Sequence, residues 1–169
     1  MSVRLPRAPG IVFLFGLAGA GKSWVGDVLA THTGWHVYHA DEDLTDELRH
    51  ALAEHRPFTD PMRDRYLARV AERIAELRVR HSHVIVTQGL YRERHRQALR
   101  ARFADMTLVC VTAPQDLVMQ RIRERPDGIS EASARALIAD FEPPDTQCLT
   151  LFNLSDAQAV LDQAQVWWG

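Results

Sequence analysis

Lys22 is the only lysine among 169 residues, and it stands inside Gly16-Leu17-Ala18-Gly19-Ala20-Gly21-Lys22-Ser23. The spacing is G-x-x-x-x-G-K-S, that of a phosphate-binding loop. Gly16, Gly19 and Gly21 let the backbone curl so that successive N–H groups, those of Ala18 and Ala20 among them, point inward at phosphate oxygens. Lys22 supplies a compact charge for the terminal phosphates, and Ser23 supplies a hydroxyl for Mg²⁺. The ligands expected are therefore ATP and Mg²⁺.

Two further groups of residues carry chemistry. His39-Ala40-Asp41-Glu42-Asp43 follows a short apolar run. On an extended segment, Asp41 and Asp43 would project to the same side. One would organise Mg²⁺ and the other would accept a proton from an attacking hydroxyl. The competing expectation is that either aspartate caps the helix that follows. Arg121 and Arg125 are four apart and share a helical face. They would stabilise charge on a transferring phosphoryl group, or merely complement a helix dipole.

The elements that must position these groups alternate. Ile11 to Phe15 is a continuous apolar run, as expected of a strand buried on both faces. Further strands are expected at Trp35 to His39, Val84 to Thr87, Met106 to Val111 and Cys148 to Phe152. Helices are expected after the loop (ending at Gly34), at Leu44 to Ala53, Pro61 to Arg80 and Glu93 to Phe103. Others open at Ala113-Pro114, span Ser130 to Asp140 under a Ser130 cap, and close the chain from Ser155 to Trp167 under a serine cap. Alternation of this kind predicts an α/β fold with a parallel sheet covered on both faces. One domain over residues 1–169 is expected, with a short lid at about 124–131.

Composition narrows the function. Net charge is −2 and charged residues make up 25%, without a long basic run, which argues against a nucleic-acid-coating protein. Cys110 and Cys148 lie in apolar runs and read as buried free thiols of a reducing compartment. No apolar stretch approaches a membrane span, and the first ten residues lack a signal-peptide core, so the cytoplasm is expected. None of the eight histidines has the spacing of a structural zinc site. Trp167-Trp168 reads as a packing anchor.

Taken together, these segments resemble the gluconate kinase family of small P-loop metabolite kinases. The resemblance runs from about Ile11 to Pro144. Beyond the loop and the aspartate pair, Pro57 to Leu67 is similar to the family pattern P-L-x-D-x-D-R-x-x-W-L. Arg121-Ile122-Arg123-Glu124-Arg125 matches a lid R-L-x-x-R, and Phe141-Glu142-Pro143-Pro144 echoes L-E-P-P. The resemblance implies a three-layer P-loop NTPase fold with five parallel strands in the order 2-3-1-4-5. It implies phosphoryl transfer to gluconate or a related sugar acid. It makes Asp43 the base and hydroxyl ligand, Asp41 the magnesium organiser and Arg63 the holder of the acceptor's acid. Arg125 would close over the phosphates. Gln88, Gly89 and Arg92 fall on the acceptor side. There the family's S-A-L-K reads Gln88-Gly89-Leu90-Tyr91, so the lysine is replaced and Arg92 lies beside its place. The lid histidine gives way to Asp127-Gly128-Ile129.

Other acceptors stay open: shikimate, a nucleoside or an antibiotic. So do an NTPase or switch without a small acceptor, and an RNA-end kinase, although Thr87-Gln88 lacks the aspartate a switch places after a central strand. The partner expected is a small-molecule acceptor, without nucleic acid or membrane. A homodimer is an expectation that rests on the resemblance alone.

Overall fold

The computed structural model describes residues 2–124 and 131–169. The expected lid, including Arg125 and the Ser130 cap, lies for the most part outside these residues.

In chain order the elements are β1 (Ile11–Phe15), α1 (Lys22–Thr33), β2 (His36–His39), a 3-10 turn (Ala40–Asp43), α2 (Asp46–Ala53) and α3 (Asp60–Arg80). There follow β3 (Val84–Thr87), α4 (Glu93–Arg102), β4 (Met106–Thr112), α5 (Gln115–Arg123), α6 (Glu131–Asp140), β5 (Leu149–Phe152) and α7 (Ala157–Trp168). The five strands form one sheet in the order β2-β3-β1-β4-β5, and every pairing is parallel. β1 lies at the centre, with Ile11 opposite both Val84 of β3 and Met106 of β4. The expected strand order and three-layer α/β fold are what is found.

Strand periodicity explains the layers. Ile11, Phe13 and Phe15 point to one face, where they pack with Leu48, Tyr66, Val70, Ile74 and Leu99 of α2, α3 and α4. Val12 and Leu14 point to the other, with Val25 and Leu29 of α1 and Val160, Leu161 and Trp168 of α7. All five residues of β1 are therefore buried. Trp168 is buried and Trp167 packs against the same cluster, as an anchor should.

The ends of elements differ from expectation in instructive ways. α2 starts at Asp46 and is capped by Thr45, whose hydroxyl accepts from the Leu48 amide. Neither Asp41 nor Asp43 is its cap. α7 is capped by Asp156, which accepts from the Gln158 and Ala159 amides, not by a serine. Ser155 has φ 64, a left-handed conformation outside the helix. Gly34 ends α1 as expected, with φ 78 and its N–H on the Ala30 carbonyl at 2.9 Å.

Candidate active site

The loop from Gly16 to Ser23 leaves the carboxyl end of β1, where open parallel sheets host ligands. Its glycines are demanded by shape. Gly21 precedes α1 with φ 87, and a Cβ there would lie 2.2 Å from the Asn153 amide nitrogen. At Gly16 a Cβ would lie 2.4 Å from the Val111 carbonyl oxygen. No side chain caps the first turn of α1, so no side-chain acceptor competes for the amides that its N-terminus presents to the loop. A loop of left-handed glycines, an uncapped helix N-terminus and a lysine is a fit for phosphate oxygens.

The loop is braced from behind. Arg121 of α5 donates to the carbonyls of Gly19 (3.1 Å) and Ala20 (3.2 Å), and to Asn153 O and Ser155 Oγ. The Asn153 amide donates to Ala20 O at 2.9 Å. Among its contacts, Lys22 Nζ donates to Leu17 O at 3.0 Å. Ser23 is exposed on the first turn of α1.

A second loop, between β3 and α4, joins the first. The Gly16 amide donates to Gly89 O at 3.3 Å. The Ala18 amide donates to the Tyr91 hydroxyl at 3.2 Å. Gln88 folds its side-chain oxygen onto the Leu90 amide, and Leu90 is left-handed at φ 49. Below this loop lies Arg96, fully buried. It donates to Leu90 O (3.0 Å), Tyr91 O, Pro143 O and Glu93 (2.8 Å). Its guanidinium lies 4.6 Å from the Phe15 ring centroid and 4.9 Å from that of Phe141. The sequence offered no sign of Arg96, one arginine among many on an amphipathic helix.

Arg63 of α3 and Arg92 converge on one carboxylate. Arg63 Nη2 donates to Asp140 Oδ2 at 2.6 Å, and Arg92 Nη2 donates to Asp140 Oδ1 at 2.8 Å. Arg92 Nη1 also donates to the Asp140 carbonyl at 3.0 Å. Burial pushes the Asp140 carboxyl up, but the two guanidinium groups outweigh it and hold the carboxyl below its ordinary range. Among the described residues, Arg63 Nη1 is a buried donor without a hydrogen-bond partner. Such a group costs about 1–3 kcal/mol.

The aspartate pair departs from its expected geometry. β2 stops at His39, and Asp41 and Asp43 lie in the 3-10 turn, not on an extended segment. Positions two apart on such a turn do not share a side. Asp41 is exposed. Asp43 accepts from the Tyr38 hydroxyl at 2.7 Å and from Arg73 Nε at 3.1 Å, with Arg69 at 3.9 Å. Burial pushes its carboxyl up, and Arg73 and Tyr38 together bring it below the ordinary range. At the end of β2, His39 bridges Thr87 (2.7 Å) and Asp27 (2.8 Å), tying β2, β3 and α1 together beside Ser23's helix. That bridge was not legible in the sequence either.

Among the described residues, no cluster of three histidine, cysteine or acidic side chains could by itself hold a metal ion. A Mg²⁺ ion at the loop would draw part of its oxygen ligands from a bound phosphate. Cys110 and Cys148 are free thiols. Burial pushes the Cys110 thiol up to about 11, so it is inert at neutral pH. Among the described residues no helix is long and apolar enough to cross a membrane.

The chain is similar to known phosphotransferases. A family model described as an AAA domain matches residues 12–138. A probable gluconokinase of Mus musculus is 41% identical over 54 residues, 32% of this chain and 29% of that protein. An adenylyl-sulfate kinase of Shewanella oneidensis is 31% identical over 137 residues, 79% of this chain and 64% of that protein. The matches therefore span less than two thirds of these relatives' length. In three dimensions, a gluconokinase from Sinorhizobium meliloti 1021 superposes with a TM-score of 0.80 at 21% identity, over 95% of this chain and 91% of that one.

Proposed function

The chain belongs to the AAA domain family, and from that premise we propose a small-molecule kinase. It moves the γ-phosphoryl group of ATP to a hydroxyl of a small anionic metabolite, with gluconate or a related sugar acid as first candidate. One observation carries the reading. The phosphate loop and a carboxylate-binding arginine pair belong to one connected set of contacts, running from Ala18 through Tyr91 to the adjacent Arg92 and on to Arg63 by way of Asp140.

Each residue then has a role. Lys22 and the loop amides after Gly16 hold the phosphates and draw off charge during transfer. The Ala18 amide exchanges Tyr91 for phosphate, whereas the Ala20 amide, expected to point at phosphate, is tied instead to Leu17 O at 3.1 Å. Arg121 keeps the Gly19 and Ala20 carbonyls turned back from the nucleotide. Ser23 and exposed Asp41 hold Mg²⁺, which neutralises phosphate charge when bound. Asp43, already ionised, accepts a hydrogen bond from the acceptor hydroxyl; its depressed pKa makes it an orienting group more than a strong base. Arg63 and Arg92 take the acceptor's acid, with Gln88 and Gly89 shaping the loop between. Arg125 is proposed to close over the phosphates.

Adenylyl sulfate, also an anion, is the second acceptor reading, favoured by a relative that matches 79% of this chain. The deciding experiment is ADP release measured over sugar acids, adenylyl sulfate, shikimate, nucleosides and aminocyclitols. The reading expects release that depends on an anionic acceptor. Release that no acceptor stimulates would reduce the protein to an NTPase.

A further inference from the structure

We propose that Asp140 is a specificity-determining residue: a tethered carboxylate that competes with the acceptor's acid group for Arg63 and Arg92. The inference rests on the kinase reading above only for the location of the acceptor.

The geometry is that of acid recognition. Two guanidinium groups from separate elements, α3 and the start of α4, meet a single carboxylate, one on each oxygen. Yet the clamp is not filled. Arg63 meets Asp140 through Nη2, and its Nη1 is buried without a hydrogen-bond partner among the described residues. A carboxylate arriving from solution can lie in the plane of the Arg63 fork and engage both nitrogens, which Asp140 does not do from the end of α6.

The surrounding charges favour exchange over a permanent bolt. Arg92 has Asp60 at 3.5 Å and Glu142 at 3.7 Å, besides Asp140. When Asp140 leaves, Arg92 therefore keeps two carboxylates near it. The location suits an acceptor as well. Phe141, next in the chain, packs edge-on against Tyr91 at 5.1 Å between centroids, and the Tyr91 hydroxyl rests on the Ala18 amide. An acid in Asp140's place would lie beside the phosphate loop.

A tethered group competes at high effective concentration, so it weakens a free acid in proportion. Uncharged polyols, which do not need the clamp, escape this competition. Asp140 thus selects for acceptors that recover the loss through a bidentate contact with Arg63.

The test is calorimetric titration of D-gluconate into the Mg-ADP complex of the full chain, wild type and Asp140→Asn. D-glucitol, which bears hydroxyls but lacks the acid, is the control. The Asp140→Asn dissociation constant for gluconate should fall about tenfold, while that for glucitol stays the same. An unchanged or weaker gluconate affinity, or gluconate binding to neither form, overturns the proposal. Hydrogen exchange on the unmodified chain covers a variant that fails to fold. Saturating gluconate should speed amide exchange in α6, which loses its two arginine anchors, and glucitol should not; unchanged or slower exchange with gluconate overturns the proposal. The kinase reading fails separately, by an absence of acceptor-stimulated ADP release.

Discussion

The Tyr91 hydroxyl accepts a hydrogen bond from the Ala18 amide at 3.2 Å, so the loop before α4 occupies one of the donors a phosphate would use. Nucleotide binding must then exchange that partner for phosphate. Tyr91→Phe removes the competitor. Nucleotide affinity is expected to rise by about twofold to tenfold, the value of one neutral hydrogen bond at about 1 kcal/mol. Titration with Mg-ADP measures it, and weaker binding would mean that Tyr91 supports the phosphate site instead.

Arg96 is fully buried and satisfied by three carbonyls, Glu93 and two aromatic faces. Removing it takes the side-chain donor from Leu90 O and Pro143 O and the charge partner from Glu93, although Glu93 keeps Gln97 and Tyr91 O keeps the Glu142 amide. Arg96→Met should cost about 3 kcal/mol or more of stability, read by urea unfolding. A cost under about 1 kcal/mol would show that water replaces the guanidinium readily.

How far the chain could be read follows from what kind of signal each feature leaves. β1, the glycine loop and α1 were legible because their signals are local: an apolar run, glycines where φ is positive, and a helix stop at Gly34. The strand order came from resemblance and agrees with the sheet. The aspartate pair was misread because extended geometry was carried past His39, where a 3-10 turn begins. Arg63 and Arg92 were picked out separately, but their meeting on Asp140 joins positions 77 and 48 residues apart. No spacing rule reaches so far. The His39 bridge to Thr87, 48 residues away, is hidden for the same reason. Arg96 is hidden because its nearest partners are local and its burial depends on Phe15 and Phe141, remote in the chain.

Asp43 separates chemistry from packing. Its partners Arg73 and Arg69 are about half exposed, so losing the charge should cost less than about 1 kcal/mol of stability. If Asp43 orients the acceptor hydroxyl, Asp43→Asn slows turnover about a hundredfold and leaves nucleotide affinity unaltered. Steady-state kinetics alongside thermal melting checks both. A destabilised variant with an unchanged rate would make Asp43 a structural residue.

Asp145 ties the loop before β5 to α4 through a two-point contact with Arg100, at 2.9 and 3.1 Å. The Arg100 hydrogen bonds hold its carboxyl at about 2, against 3.8 without partners. Because the folded value is the lower one, the contact stabilises the fold above pH 3.8 and that contribution fades as pH falls toward 2. Acid unfolding of Asp145→Asn should therefore show a shallower slope across that window than wild type. Equal slopes would remove Asp145 from the acid response.

Nucleotide binding depends on the loop around Lys22. Titrating Mg²⁺ with a non-hydrolysable ATP analogue into folded wild type and Lys22→Ala tests it most directly. The expected result is saturable one-to-one binding by wild type and affinity weakened at least about tenfold in the variant, the value of a hydrogen bond to a charged group, with the melting temperature unchanged. A folded wild-type chain that gives no heat with magnesium nucleotide would contradict it.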